Sequence, residues 1–177
     1  MGLIGADLMM RLSLIEKERA MRRFYTLILV GLLLGAMPTG RAQQTSDFER
    51  VHAASRQFVA AIVARDINAM DAVWAHESYA SFIGPLSTTV VVGWDGVRQA
   101  WQMRFGQFDR VTISADKPHI HINGEAAWAV GMEKIELLRK DGKTISFDAF
   151  VTNVFENRGG QWLLVAHQST PLFGPPE

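Results

Sequence analysis

From Asp47 onward, apolar side chains recur every three or four residues. Phe48, Val51, Ala54, Phe58, Ala61 and Ile62 fall on one face, which predicts a helix capped by Ser46 or Asp47. Asp66 is placed to cap a second, shorter helix carrying Ile67, Met70, Val73 and Trp74. After the polar break His76-Glu77-Ser78, the run from Tyr79 to Gly84 reads as a short strand ending in a Gly-Pro turn. Thr88 to Gly93 is β-branched, and Trp94-Asp95-Gly96 leads into a third helix over Val97 to Phe108 with Asp95 as its cap.

Beyond Phe108 the period changes to that of strands. Arg110–Ala115 and His119–Asn123 are strand-like, with Asp116-Lys117-Pro118 as a bend, and Asn123-Gly124 is a tight-turn signal. Ala126–Arg139, Thr144–Glu156 and Trp162–Ser169 follow, separated by Asp141-Gly142 and Arg158-Gly159-Gly160. Strict alternation along the last strand sends Leu163, Val165, His167 and Ser169 one way, and Trp162, Leu164, Ala166 and Gln168 the other. Pro171 and the Gly-Pro-Pro that follows should end the sheet. Helices first and an antiparallel meander afterwards predict an α+β fold with N-terminal helices against the sheet.

Composition narrows the partners. The chain has 177 residues, 48% hydrophobic and 20% charged, with Lys plus Arg equal to Asp plus Glu at 18 each. One domain with a real core fits that length. Zero net charge offers no field for gathering phosphates, so nucleic acid is not an expected partner. With no cysteine, disulfides, thiolate nucleophiles and Cys-ligated metals are excluded.

The N-terminal segment has its own pattern. Met21-Arg22-Arg23, an apolar run from Phe24 to Met37, and small residues at Gly40 and Ala42 predict an export signal cleaved after Ala42. The run is shorter than the roughly 20 apolar residues a bilayer span needs, so no stable span is expected after processing. Residues 1–42 are thus an N-terminal extension plus signal peptide, and residues 43–177 the folded domain, secreted or periplasmic. Residues 1–20 precede a conventional start at Met21.

Four stretches together resemble the NTF2-like superfamily of cone folds, in its SnoaL-like and DUF4440-type branch. They are Gly93-Trp94-Asp95-Gly96-Val97; Lys117-Pro118-His119-Ile120-His121-Ile122-Asn123-Gly124-Glu125-Ala126-Ala127; Thr152-Asn153-Val154-Phe155; and Gly160-Gln161-Trp162 running to His167-Gln168-Ser169. The second is similar to a Pro-His-Val-His strand of the calcium/calmodulin-dependent kinase association domain. The resemblance spans about residues 48 to 171. It implies a strongly curved antiparallel sheet around the helices, a cavity between them, and homodimers or larger assemblies joined through the sheets. It does not imply an activity, since the superfamily holds isomerases, dehydratases, cyclases, transport adaptors and oligomerisation hubs. The association domain has pocket arginines where this chain has Asn153 and Gln168, with one such position met by Lys134. A ligand demanding several guanidinium forks is therefore not expected.

Given that cone, a small, mainly apolar ligand is the expected partner, without cofactor or metal. His167 and Asn153 are the candidates for proton transfer if the domain is an isomerase, dehydratase or cyclase; the remaining alternative is an oligomerisation or partner-binding module. Trp101, Trp128, Met132, Lys134, Phe147, Val151, Ser169 and Tyr79 are the candidate ligand contacts. Trp128, Val130, Met132 and Lys134 share one strand face, and Phe147, Ala149, Val151, Asn153 and Phe155 share one on the next. If both faces point inward, Lys134 and Asn153 are the deep polar groups. Trp94 and Trp162 read as packing residues. A ketosteroid-isomerase-like base would come from Glu77 or Asp71, with Tyr79 as donor. His119 and His121 could chelate zinc with His167, Asp148 or Glu133, although packing is the better reading.

Overall fold

The computed structural model describes residues 40–172. Residues 1–39, which hold most of the predicted export signal, and residues 173–177 lie outside the described residues; Gly40–Ala42, at the predicted cleavage point, fall in the first turn of the first helix. Among the described residues, three helices come first or between strands: α1 (Gly40–Ala64), α2 (Ile67–Val73) and, after strands β1 (Ser81–Ile83) and β2 (Val91–Val92), α3 (Trp94–Phe105). Strands β3 (Phe108–Ala115), β4 (His119–Asn123), β5 (Ala126–Arg139), β6 (Thr144–Arg158) and β7 (Gln161–Leu172) complete the domain.

Helix boundaries depart from expectation in two places. α1 starts at Gly40, so Ser46 and Asp47 lie inside it rather than capping it. No Pro or Gly occurs between Arg41 and Ala64 to break the helical pattern. α3 opens at Trp94, because Gly93 takes φ 88°, a turn only glycine adopts freely, and Asp95 falls in the first turn. The α2 cap is as expected: the Asp66 carboxylate accepts from the N–H groups of Asn68 and Ala69 at 2.8 and 3.2 Å.

The seven strands form a single curled sheet in the order β2-β1-β7-β6-β5-β3, with β4 also on β5. It is mixed rather than purely antiparallel, since β1 runs parallel to β7 with Phe82 opposite His167. β7 continues through Pro171, which pairs with Ala149. β1 flanks β7 only from Ala166 to Gln168, so Pro171 stands on a free edge where a missing N–H is tolerated. Between Val154 and Phe155 the β6–β7 register shifts, leaving Val165 as the extra residue. This bulge overturns the strict alternation. Trp162 and Leu164 before it, and His167 and Ser169 after it, are all buried, while Gln168 is exposed.

α1 and α3 fill the hollow of the sheet. Phe58, fully buried, meets Trp74 and Trp101 edge-on at centroid separations of 6.1 and 5.7 Å. Burying a ring of this size stabilises the fold by about 3 kcal/mol at most, so the helix depends on its whole apolar stripe, Val51 through Ile62, rather than on one anchor.

Candidate ligand-binding site

Which face of β5 looks inward decides the site. Asn153 pairs with Ala129, Val151 with Gly131 and Ala149 with Glu133, so the inner face carries Ala127, Ala129, Gly131, Glu133, Ile135 and Leu137. The expectation for the other face is corrected: Trp128 and Lys134 lie on the outer face with Val130, Lys134 directly opposite Asp148, while Met132 in the same row is half-buried and borders a groove beside the sheet. Small residues, Ala127, Ala129 and Gly131, occupy the inner row, and the bulkier Trp128 and Val130 face the other way. On β6 the inner row is as expected, with Ala149, Val151, Asn153 and Phe155 buried and Phe147 partly so.

Two hollows flank this inner row. A chamber of about 310 Å³ lies between α3 and strands β3, β5 and β7, walled by Phe82, Trp101, Phe105, Val111, Ile135 and Leu137. A wider groove of about 730 Å³ runs between α1 and the β3–β4 bend, with Ser55, Val151 and Asn153 in its lining. Glu133 borders both.

His167 and Ser169 reach the chamber from β7. His167 Nδ1 lies 2.7 Å from the Asn153 side-chain oxygen on the neighbouring strand. An amide oxygen can only accept, so the proton sits on Nδ1 and Nε2 keeps its lone pair. The ring stacks on Phe82 at 5.6 Å and meets Phe58 edge-on at 5.0 Å. Burial, reinforced by the Arg104 charge, pushes its pKa down to about 3, so the imidazole stays neutral across the physiological range. That suits it to accept a hydrogen bond rather than to donate a proton near neutrality.

Glu133, which the sequence offers only as a possible metal ligand, is a further polar group on the chamber wall. It is 7% exposed, forms no hydrogen bond or ion pair among the described residues, and burial raises its pKa to about 7. It therefore samples both protonation states near neutral pH. The only sequence signal was an acidic residue in the small-residue row of β5. Ser169 Oγ and Trp101 Nε1 are buried and also lack hydrogen-bond partners. Three polar groups thus face one apolar space with donor or acceptor capacity unused.

Other candidates lie elsewhere. Tyr79 is exposed, its hydroxyl donating to Glu156 at 2.7 Å and accepting from Arg158. Asp71 is held by Arg98 in a two-pronged pair at 2.7 and 3.1 Å, and Glu77 lies 3.4 Å from Arg158. Neither carboxylate borders the chamber. His119 and His121 sit on the outer face, His121 stacked on Trp128 at 4.3 Å, whereas His167 and Glu133 point inward. Among the described residues no group of three or more His, Cys, Asp or Glu is arranged to hold a metal ion.

The sequence profile of the SnoaL-like domain matches residues 51–173. Solved structures share the fold. A candidate dehydratase of the NTF2-like family from Streptomyces avermitilis is 19% identical, with a TM-score of 0.67 over 73% of this chain and 99% of that one. An NTF2-like superfamily protein from Salmonella enterica serovar Typhimurium is 20% identical, with a TM-score of 0.68 over 76% and 96%. A candidate calcium/calmodulin-dependent protein kinase type II association domain from Thiobacillus denitrificans is 27% identical, with a TM-score of 0.57 over 68% and 94%. No curated protein matches the chain. On this profile the chain belongs to the SnoaL-like domain family, and its fold is that of NTF2-like proteins.

Proposed function

We propose that this domain binds a small, mainly apolar molecule in the chamber beneath α3, as an exported protein. The observation that carries the reading is the convergence of Glu133, His167 and Ser169 on a 310 Å³ space that is otherwise aromatic and aliphatic. Sites for small ligands are built this way, with apolar walls for affinity and a few polar groups for orientation. Native mass spectrometry of the protein from its own host tests it. A small molecule retained in the native spectrum and released on denaturation supports the reading. The bare chain mass under both conditions counts against it.

Glu133 favours a second reading, an isomerase- or dehydratase-type enzyme working by proton transfer without a cofactor. General acid–base catalysis works best with a group poised near the working pH. Glu133 meets that condition, whereas His167, the candidate from sequence, does not. In this reading His167 and Asn153 orient the substrate. Homodimerisation through the outer sheet face accompanies either reading: Trp128, Val130 and Phe150 share that face, and each remains more than a third exposed.

A further inference from the structure

We propose that the chamber takes an apolar monocarboxylic acid, its carboxylate seated on Arg104 at the mouth and its apolar body against Trp101 and the β3–β5 wall. This rests on the binding reading above and specifies the charge of the ligand.

Arg104, near the end of α3, borders the chamber together with Leu86 and Met103, whose exposed side chains mark its mouth. The guanidinium is partly buried and fixed in place. Nη1 donates to the Ala100 carbonyl at 3.2 Å, Nη2 donates to Ser87 Oγ at 2.9 Å, and Cζ stands 4.5 Å above the Phe82 ring. Gly84 makes room for this: a Cβ there would stand 3.0 Å from Nη2 and 2.9 Å from the Phe82 ring. Both acceptors are neutral. Arg98 and Arg158 have carboxylate partners, but among the described residues Arg104 has none. A guanidinium carries five N–H donors in a fork matched to a carboxylate, so most of its capacity is unused at the edge of an apolar space.

Glu133 sets the other limit. It is the one carboxylate among the residues bordering the chamber, and it is not paired with Arg104. A second acidic group on the ligand would meet Glu133 within low-dielectric surroundings, which disfavours a dicarboxylate. An amine would suit Glu133 but would have to carry its charge past Arg104. A single carboxylate on an apolar body satisfies both ends.

Isothermal titration with three isosteric probes tests this at neutral pH: phenylpropanoate, phenylpropanol and phenylpropylamine. The acid should bind about tenfold or more tightly than the alcohol and the amine, as expected of a charge-assisted hydrogen bond. Arg104→Met should erase that advantage, and Arg104→Lys should retain part of it. An alcohol or amine that binds as well as the acid overturns the charge assignment and leaves the apolar site standing. So does an acid advantage that survives Arg104→Met. If none of the three binds, the binding reading fails and this inference with it. The acid-to-alcohol ratio on the unaltered protein decides the question even if a variant does not fold.

Discussion

His167 and Asn153 are cross-strand neighbours on β7 and β6, joined by a 2.7 Å hydrogen bond in the wall between the chamber and the groove. Asn153→Ala removes the acceptor and leaves the His167 Nδ1–H buried alone. The expected cost is about 1–3 kcal/mol of folding stability, read as a lower urea midpoint at unchanged slope. An unchanged midpoint would show that the pair is not structural.

Glu133 should make stability fall as pH rises. Its folded pKa of about 7 exceeds the ordinary 4.5, so the folded state holds a proton that the unfolded chain has released. The contribution vanishes below pH 4.5, grows unfavourable between the two values, and reaches about 3 kcal/mol above pH 7. Glu133→Gln should therefore be more stable than the parent at pH 8 and equal to it at pH 4. Urea melts at both pH values check this; equal midpoints at pH 8 would contradict it.

His167 acts with the opposite sign. Its folded pKa of about 3 lies below the ordinary 6.5, so the unfolded chain gains a proton that the folded state refuses as pH falls through that window. Between pH 4.5 and 6.5 the two slopes oppose one another in the parent. In Glu133→Gln the His167 slope stands exposed, so that variant should lose stability more steeply than the parent as pH drops from 6.5 to 4.5. Parallel pH profiles for the two proteins would rule out this opposition.

Much of the fold was legible in the chain. The amphipathic stripe of α1, the Asp66 cap and the turn pairs at Asn123-Gly124 and Asp141-Gly142 each depend on short-range chemistry that a sequence exposes directly. Two features were not. The inner face of β5 is its small-residue row, Ala127, Ala129 and Gly131, and the bulky Trp128 and Val130 lie on the other side; only the tertiary arrangement shows that. The bulge at Val165 brings Trp162 and Leu164 onto the side of His167, and no glycine or proline beside it announces it. Glu133 is not legible as a cavity group for the first reason: assigning Lys134 to the cavity sends its neighbour outward. The Asn153 row was placed correctly because apolar residues and Asn153 alternate there with more polar or exposed positions.

The outer face predicts an assembly. Phe150 is 55% exposed and lies opposite Met132, beside Thr170. Phe150→Glu should leave the fold intact and convert a dimer to a monomer, because a charge at an apolar interface core is strongly disfavoured. Sedimentation velocity on both proteins checks it, and an identical dimer in the variant would place the interface elsewhere.

The chamber itself is tested most directly by titrating phenylpropanol while recording amide chemical shifts, in the parent and in Ile113→Trp. Ile113 borders the chamber from β3, and the larger ring should fill it. Saturable binding in the parent is predicted, with shifts centred on Ile135, Leu137, His167 and Ser169 and lost in the folded variant. Shifts centred on Trp128 and Phe150, or undiminished binding in Ile113→Trp, would contradict a ligand site inside the cone.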